Sequence, residues 1–173
     1  KLGIGIDPSF STNCDVERND AIPDNMEFFC MTKEGPEKIN SNSLFNNSKV
    51  ILVGVPGAFT PTCSADHLPG FIEKKDFFFS KGIDKIFFIS VNDPFVMDEW
   101  RKSKSEEDII FLADPSAIFA QKTELKIDLS VIGLGIRLSR FAMIIENGIV
   151  KNLFDEGGGG LDVSTADSLS NSI

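Results

Sequence analysis

Histidine and cysteine are scarce in this sequence, and tyrosine is missing. The first two shortages argue against particular kinds of protein. The chain has one histidine, His67, and no aspartate or glutamate at helical spacing from it, so no metal site is predicted. Its three cysteines are too few for the disulfide framework of a small secreted domain, and their odd number favours a reducing compartment. With no tyrosine but 16 phenylalanines, the aromatic core needs no partners for phenolic hydroxyl groups.

Positive charge and long apolar runs are also lacking. The 17 lysines and arginines face 26 aspartates and glutamates, which gives a net charge of -9 at pH 7. Because affinity for nucleic acid depends on clustered basic residues, neither nucleic acid nor an anionic membrane is expected as a partner. No apolar run approaches the roughly 20 residues of a membrane-spanning helix. A reducing compartment fits the cytoplasm. Because the sequence begins with Lys1 rather than methionine, a mitochondrion or plastid, after removal of a targeting segment, is the other expected location.

Hydrophobic patterning predicts one domain preceded by an arm. Residues 1–19 are polar and aperiodic, which predicts a loosely ordered arm, and residues 20–173 are expected to form a single domain. Strands are predicted at residues 26–32, 50–55, 86–91 and 109–113, and a hairpin with a type I′ turn at 141–154. Helices are predicted at 64–81, 94–100, 115–125 and 164–173, with a polar connector at 40–48. The alternation indicates an α/β, three-layer fold with a mixed central sheet, compatible with a thioredoxin-like fold.

The segment from Pro56 to Cys63 carries the chemistry. It joins a buried strand to the start of a helix, so Cys63 is expected in the first helical turn. There, free backbone N–H groups and the positive end of the helix dipole stabilise a thiolate. A thiolate can displace one oxygen of a peroxide while the other leaves as an alkoxide, which needs hydrogen-bond donors nearby.

Three further residues are candidates for this site. Thr60 lies three residues before Cys63, where its hydroxyl can reach the thiolate or a peroxide, and Pro56 can shield the sulfur from water. A cation is expected close to the sulfur, and both Arg137 and Arg140 are available. Arg140 is favoured, because it adjoins the strand predicted to begin at residue 141 and would be held rigidly.

An extended motif resembles a known family. The segment Pro56-Gly57-Ala58-Phe59-Thr60-Pro61-Thr62-Cys63, together with His67-Leu68-Pro69-Gly70-Phe71, Ser90-Val91-Asn92-Asp93-Pro94-Phe95, Leu112-Ala113-Asp114-Pro115 and Arg140-Phe141-Ala142-Met143, resembles the peroxiredoxins of the peroxiredoxin 5 or plant type II branch. The resemblance implies a thioredoxin-like fold, a homodimer, no metal or organic cofactor, and reduction of hydrogen peroxide, alkyl hydroperoxides and peroxynitrite. It carries the family's catalytic cysteine, threonine, proline and arginine onto Cys63, Thr60, Pro56 and Arg140.

The chain departs from its relatives where a second, resolving cysteine is found. The two positions are occupied here by Phe88 and, approximately, Val163, and neither can form a disulfide. We therefore predict a one-cysteine cycle, in which a sulfenic acid on Cys63 is reduced by glutaredoxin with glutathione or by thioredoxin. Cys14 and Cys30 are expected to be unreactive, with Cys14 in the arm as the more plausible exception.

Other functions are less consistent with the sequence. A thioredoxin-like disulfide oxidoreductase would need a second cysteine three residues before Cys63, and Thr60 stands there. A redox-sensing or chaperone-like binding module that uses Cys63 oxidation is the non-enzymatic alternative. His67 is expected to be structural, although it lies one turn from Cys63. The charged run 101–108 is interpreted as solvated surface, and the glycines at 157–160 as a flexible turn.

Overall fold

A central sheet of seven strands organises the chain. The structure, a computed structural model, describes residues 20–173; the predicted arm, residues 1–19, lies outside the described residues. In chain order the strands are β1 (Glu27–Thr32), β2 (Gly35–Asn40), β3 (Lys49–Gly54), β4 (Lys85–Ser90), β5 (Ile110–Ala113), β6 (Lys126–Asp128), β7 (Ile136–Leu138), β8 (Phe141–Glu146) and β9 (Ile149–Asp155). The sheet order is β2-β1-β5-β4-β3-β8-β9, and β6 and β7 form a separate hairpin. Since β3, β4 and β5 run parallel and the other neighbours antiparallel, the predicted mixed sheet is confirmed.

Helices cover both faces of this sheet. They are α1 (Ser41–Phe45), α2 (Leu68–Ser80), α3 (Pro94–Ser103), α4 (Ile118–Thr123) and α5 (Ala166–Ser170). Alternate residues of β3 enter different hydrophobic clusters: Val50 and Leu52 pack with α1 and α4, whereas Ile51 and Val53 pack with α2, α3 and α5. Burial on both faces explains the uninterrupted apolar run. The result is the three-layer, thioredoxin-like α/β fold that the sequence predicts. None of the helices in the described part of the chain is long and apolar enough to cross a membrane.

The turn between β8 and β9 is as predicted. Asn147 and Gly148 have φ values of 50° and 79°, and Glu146 pairs with Ile149, so a two-residue type I′ turn closes the hairpin. The predicted α3 is also present, with the Asp93 carboxylate accepting a hydrogen bond from the N–H of Val96 at 2.9 Å.

Several predicted boundaries are wrong. The supposed connector at 40–48 contains the end of β2 and the short helix α1, which Asn40 caps through its side chain. Helix α4 begins only at Ile118, because Ala117 is left-handed (φ 57°). The last helix begins at Ala166 with Thr165 as its cap, since the predicted cap, Ser164, is engaged elsewhere.

Candidate active site

A turn of π-helix carries the cysteine. Pro61 and Thr62 are helical, the π-turn spans Cys63–His67, and α2 continues from it at Leu68. The N–H of Leu68 donates to the carbonyl of Cys63, five residues earlier, instead of four. The sequence predicts a bend at Pro69, and the irregularity lies just before it. Cys63 is therefore in the opening turns of the helix, with none of its surface exposed.

Arg140 faces this sulfur. Its Nη2 donates to Sγ of Cys63 at 3.1 Å, its Nη1 to Nδ1 of His67 at 2.9 Å, and its Nε to the carbonyl of Gly159 at 3.2 Å. Only 2% of Arg140 is exposed, so the charge is held in a largely dry site. Because three of its nitrogens have a partner, the orientation of the guanidinium plane is fixed. Of the two arginines considered, Arg140 is the one that touches Cys63.

His67 connects Arg140 to the segment between β9 and α5. Since the guanidinium can only donate, Nδ1 of His67 accepts, and the proton on Nε2 goes to the carbonyl of Ser164 at 2.8 Å. Burial, reinforced by the charge of Arg140, lowers the pKa of His67 from 6.5 to about 4, against the opposing effects of the Ser164 hydrogen bond and the Glu156 carboxylate. His67 is therefore neutral near pH 7. The sequence interpretation as structural missed its contact with Arg140; the four-residue spacing from Cys63 was the available signal.

The loop after β9 supplies the remaining support. The carboxylate of Glu156 accepts hydrogen bonds from the Ser164 N–H and hydroxyl, both at 2.7 Å, and from the Asp162 N–H at 2.8 Å. These bonds outweigh burial, which acts in the opposite direction, and lower the pKa of Glu156. The carbonyl of Gly158 accepts from the backbone N–H of Arg140 at 2.7 Å. Two carbonyls of the glycine run, those of Gly158 and Gly159, thus accept hydrogen bonds from Arg140, a contact that the interpretation of the run as a flexible turn does not include.

The loop that precedes Cys63 is held by the second arginine. Nη1 of Arg137 donates to the carbonyl of Pro56 at 3.1 Å, and its Nε donates to that of Leu134 at 2.8 Å. The hydroxyl of Thr60 donates to the carbonyl of Gly57 at 2.7 Å, which leaves its oxygen able to accept a hydrogen bond. Pro56 is buried. The structure brings the four predicted site residues into one region, and it gives Arg137 a supporting contact on the loop.

A close approach of strands β3 and β8 positions the loop that leads to Cys63 relative to Arg140. Gly54 pairs with Phe141, and a Cβ on Gly54 would lie 2.0 Å from the ring of Phe141. Only glycine leaves room for this ring, which directly follows Arg140. On the other side, the side-chain oxygen of Asn92 accepts the N–H of Ala58 at 3.0 Å. Loop and arginine are therefore both tied to strand ends.

The structure also places the two positions, Phe88 and Val163, at which the family resemblance implies a resolving cysteine. Phe88 is fully buried and makes ring contacts with His67 at 5.9 Å and with Phe71 at 5.5 Å between centroids. Val163 is 40% exposed. Cys30 and Cys63 are both free thiols, but Cys30 packs against the other core cluster, and burial raises its pKa, as do Asp98 and Glu37. Within residues 20–173 no three His, Cys, Asp or Glu side chains gather as a metal site.

Comparison with known proteins identifies the family of this chain. A family model described as Redoxin matches residues 17–169. Peroxiredoxin-2D of Arabidopsis thaliana is 44% identical over 151 residues, which are 87% of this chain and 93% of the plant protein. The structure of reduced Prx3 from Vibrio vulnificus in complex with H2O2 has a TM-score of 0.87 at 40% identity and covers 91% of this chain and 98% of its own. The 1-Cys peroxiredoxin of Plasmodium falciparum gives 0.85 at 32% identity, with 91% and 98% covered.

The thioredoxin-like fold with a buried thiol beside a guanidinium defines a thiol-based redox protein of the Redoxin class. More narrowly, the chain belongs to the peroxiredoxin family, in its type II or peroxiredoxin 5 branch. It is a thiol-dependent peroxidase with an antioxidant function, and the family implies a peroxide substrate and a thioredoxin-type reductant. The alternative of a redox-sensing or chaperone-like binding module is not favoured by these relatives.

Proposed function

We propose that Cys63 is the nucleophile of the peroxidase reaction. Its thiolate attacks one peroxide oxygen, the S–O bond forms as the O–O bond breaks, and the leaving alkoxide takes a proton to become an alcohol or water. Cys63 is left as a sulfenic acid. The observation that supports this most strongly is the 3.1 Å contact from Nη2 of Arg140 to Sγ, between two buried groups.

Arg140 then has two roles in the proposal. Its positive charge stabilises the thiolate, and it lies where negative charge develops on the leaving oxygen. Both effects are strong because the site excludes water. The bonds to His67 and Gly159 hold the guanidinium in place before the peroxide arrives, so little reorganisation is needed during the reaction.

Thr60 and Pro56 are proposed to orient and protect the reactants. Because the Thr60 proton is used by the Gly57 carbonyl, the hydroxyl oxygen can accept the O–H of a peroxide and hold that same oxygen towards the sulfur, so that the other oxygen leaves. The ring of Pro56 is buried and carries no N–H, so it excludes water without binding the peroxide itself. We propose hydrogen peroxide, alkyl hydroperoxides and peroxynitrite as substrates.

The proposed cycle uses one cysteine. A thiol R–SH attacks the sulfenic acid, an S–S bond forms, and hydroxide leaves and takes the thiol proton to become water; a second thiol then releases Cys63. Phe88 and Val163 cannot take the part of R–SH, and Cys30 lies against the other cluster. We propose glutaredoxin with glutathione, or thioredoxin, as the reductant, in the cytoplasm, a mitochondrion or a plastid.

A homodimer is proposed around the active-site loop. Phe59 of this loop is 51% exposed, and Val131 and Ile132 of the neighbouring β6–β7 hairpin are 92% and 67% exposed. Arg137 joins the hairpin to the loop through Pro56, so these apolar groups lie on connected segments. A second copy would remove them from water. Val131→Asp is expected to shift the protein to monomers in analytical ultracentrifugation; an unchanged sedimentation coefficient would place the interface elsewhere.

The nucleophile is tested by comparing two cysteine variants. Peroxide consumption is followed with a glutaredoxin and glutathione system and with a thioredoxin system. Cys63→Ser is expected to reduce turnover to the background of the reductant alone, whereas Cys30→Ser keeps the activity of the unaltered protein. Retained turnover in Cys63→Ser would reject the assignment. If only one of the two reductant systems supports turnover, that system is identified as the electron donor.

A further inference from the structure

Ser64, the residue after Cys63, has a carbonyl that its own helix does not use. The N–H of Leu68, which would reach this carbonyl in a regular α-helix, donates to the carbonyl of Cys63. The next residue, Pro69, has no N–H and cannot take over. A carbonyl left in this way next to a buried sulfur needs a donor from another part of the chain.

Helix α3 supplies that donor. The ammonium of Lys104 lies 2.7 Å from the Ser64 carbonyl oxygen, and Nε1 of Trp100 donates to the Ser64 hydroxyl at 3.0 Å. Trp100 is fully buried and is fixed by edge-to-face contacts with Phe88 and Phe111. The two side chains are four residues apart and so project from one side of the helix end. Together they bind Ser64 through both its main chain and its side chain.

We propose that Lys104 is a positioning residue that holds the π-turn closed, with Trp100 as its second contact, and so controls how readily the sulfur of Cys63 is exposed to a reducing thiol. The inference rests on the proposed function, because it assumes that Cys63 is oxidised to a sulfenic acid. It adds a control element that the sequence does not suggest, since Lys104 lies in a charged run otherwise typical of solvated surface.

The two halves of the cycle require opposite states of this turn. Oxidation needs the closed state, in which Sγ of Cys63 touches Arg140. Reduction needs the open state, because a sulfur with no exposed surface cannot be attacked by glutathione or by a protein thiol. The bond from Lys104 favours the closed state. The strength of this hydrogen bond therefore sets how much of the protein is in the state that is oxidised and how much is in the state that is reduced.

The test compares two lysine variants of the full chain. Lys104→Met removes the donor to Ser64, and Lys102→Met removes an equal charge whose ammonium pairs with Asp98 and Glu99 on the surface. Hydrogen–deuterium exchange is measured at the amides of residues 63–68, and stopped-flow kinetics give separate rate constants for oxidation by hydrogen peroxide and for reduction by glutathione. Loss of a charge-assisted hydrogen bond predicts about tenfold faster exchange in Lys104→Met.

We expect the faster amide exchange in Lys104→Met but not in Lys102→Met. In Lys104→Met we also expect faster reduction of the sulfenic acid and slower oxidation of the thiol. Exchange in β3 and β4 should stay unchanged in both variants, which separates a local opening from general instability. If Lys104→Met is unstable, Ser64→Ala, which removes only the Trp100 bond, is expected to give a smaller increase at the same amides. Exchange in residues 63–68 equal to that of Lys102→Met overturns the proposal. If Cys63→Ser keeps full turnover, the proposed function fails instead, and the exchange result remains separate.

Discussion

Protonation of His67 should destabilise the protein as the pH falls. In the folded protein Nδ1 of His67 accepts from Arg140, and the pKa of His67 is lowered from 6.5 to about 4, first of all by burial. In the unfolded chain the same group binds a proton near its ordinary pKa of 6.5. Between these two values the unfolded state binds more protons, so the free energy of unfolding decreases as the pH decreases.

The size of this effect follows from the two pKa values. One pKa unit corresponds to about 1.4 kcal/mol, so the difference between 6.5 and about 4 amounts to about 3 kcal/mol. This stability is fully present above pH 6.5 and is lost on the way down to about pH 4. It is a large part of the stability of a domain of this size, which is typically about 5–15 kcal/mol.

The measurement is urea unfolding at a series of pH values for the unaltered protein and for His67→Gln. Glutamine keeps an acceptor for Arg140 and a donor for Ser164 but does not titrate. Groups such as Asp114, whose pKa is raised by burial, are present in both proteins and cancel in the difference. We expect the unaltered protein to lose about 3 kcal/mol more than the variant between about pH 7 and about pH 4. Parallel curves would show that His67 does not have the same neutral, buried state in solution.

Two further predictions concern the strand contact and the arginines. Gly54→Ala should lower the free energy of unfolding by about 1–3 kcal/mol, because the added Cβ would overlap the Phe141 ring. In the same urea titration Gly160→Ala should change the free energy of unfolding little, because a Cβ there has nothing within 4 Å. Equal losses in the two variants would contradict the packing argument. Arg140→Met should slow oxidation of the thiol by about 100-fold in stopped-flow experiments, and Arg137→Met by clearly less, since only Arg140 touches the sulfur. A larger effect of Arg137→Met would reverse their assigned roles.

The parts of the fold that the sequence predicts are those with a local pattern. Strand β3 is recognisable because burial on both faces requires an unbroken apolar run, and the β8–β9 turn because Asn147 and Gly148 tolerate positive φ. Strand β2 has no such pattern: it is a half-exposed edge strand that exists through its pairing with β1. The three-residue strands β6 and β7 and the five-residue helix α1 are similarly short, and their stability comes from tertiary contacts.

The candidate site divides in the same way. Pro56, Thr60 and Cys63 are recognisable as candidates from the sequence because they fall within eight consecutive residues. The supports of Arg140 come from distant segments: His67 is 73 residues away, and Gly159 lies beyond the hairpin. No local signal links these residues. The charged run 101–108 misleads for the same reason, since the half-buried Lys104 donates a hydrogen bond to the distant Ser64.

Strand register is what joins the two halves of the site. Cys63 and Arg140 are 77 residues apart in sequence, yet both are connected to one ladder, in which β3 pairs with β8 from Lys49↔Glu146 to Gly54↔Phe141. Arg140 directly precedes Phe141, and the loop that follows Gly54 leads to Cys63. A shift of β8 by one residue would turn alternate side chains to the opposite face and would move Arg140 away from the sulfur. Such a shift would also take the Phe141 ring off Gly54, where alone it has room. The packing that secures the core therefore also sets the distance between thiol and guanidinium, so the site depends on the sheet as well as on its own loop.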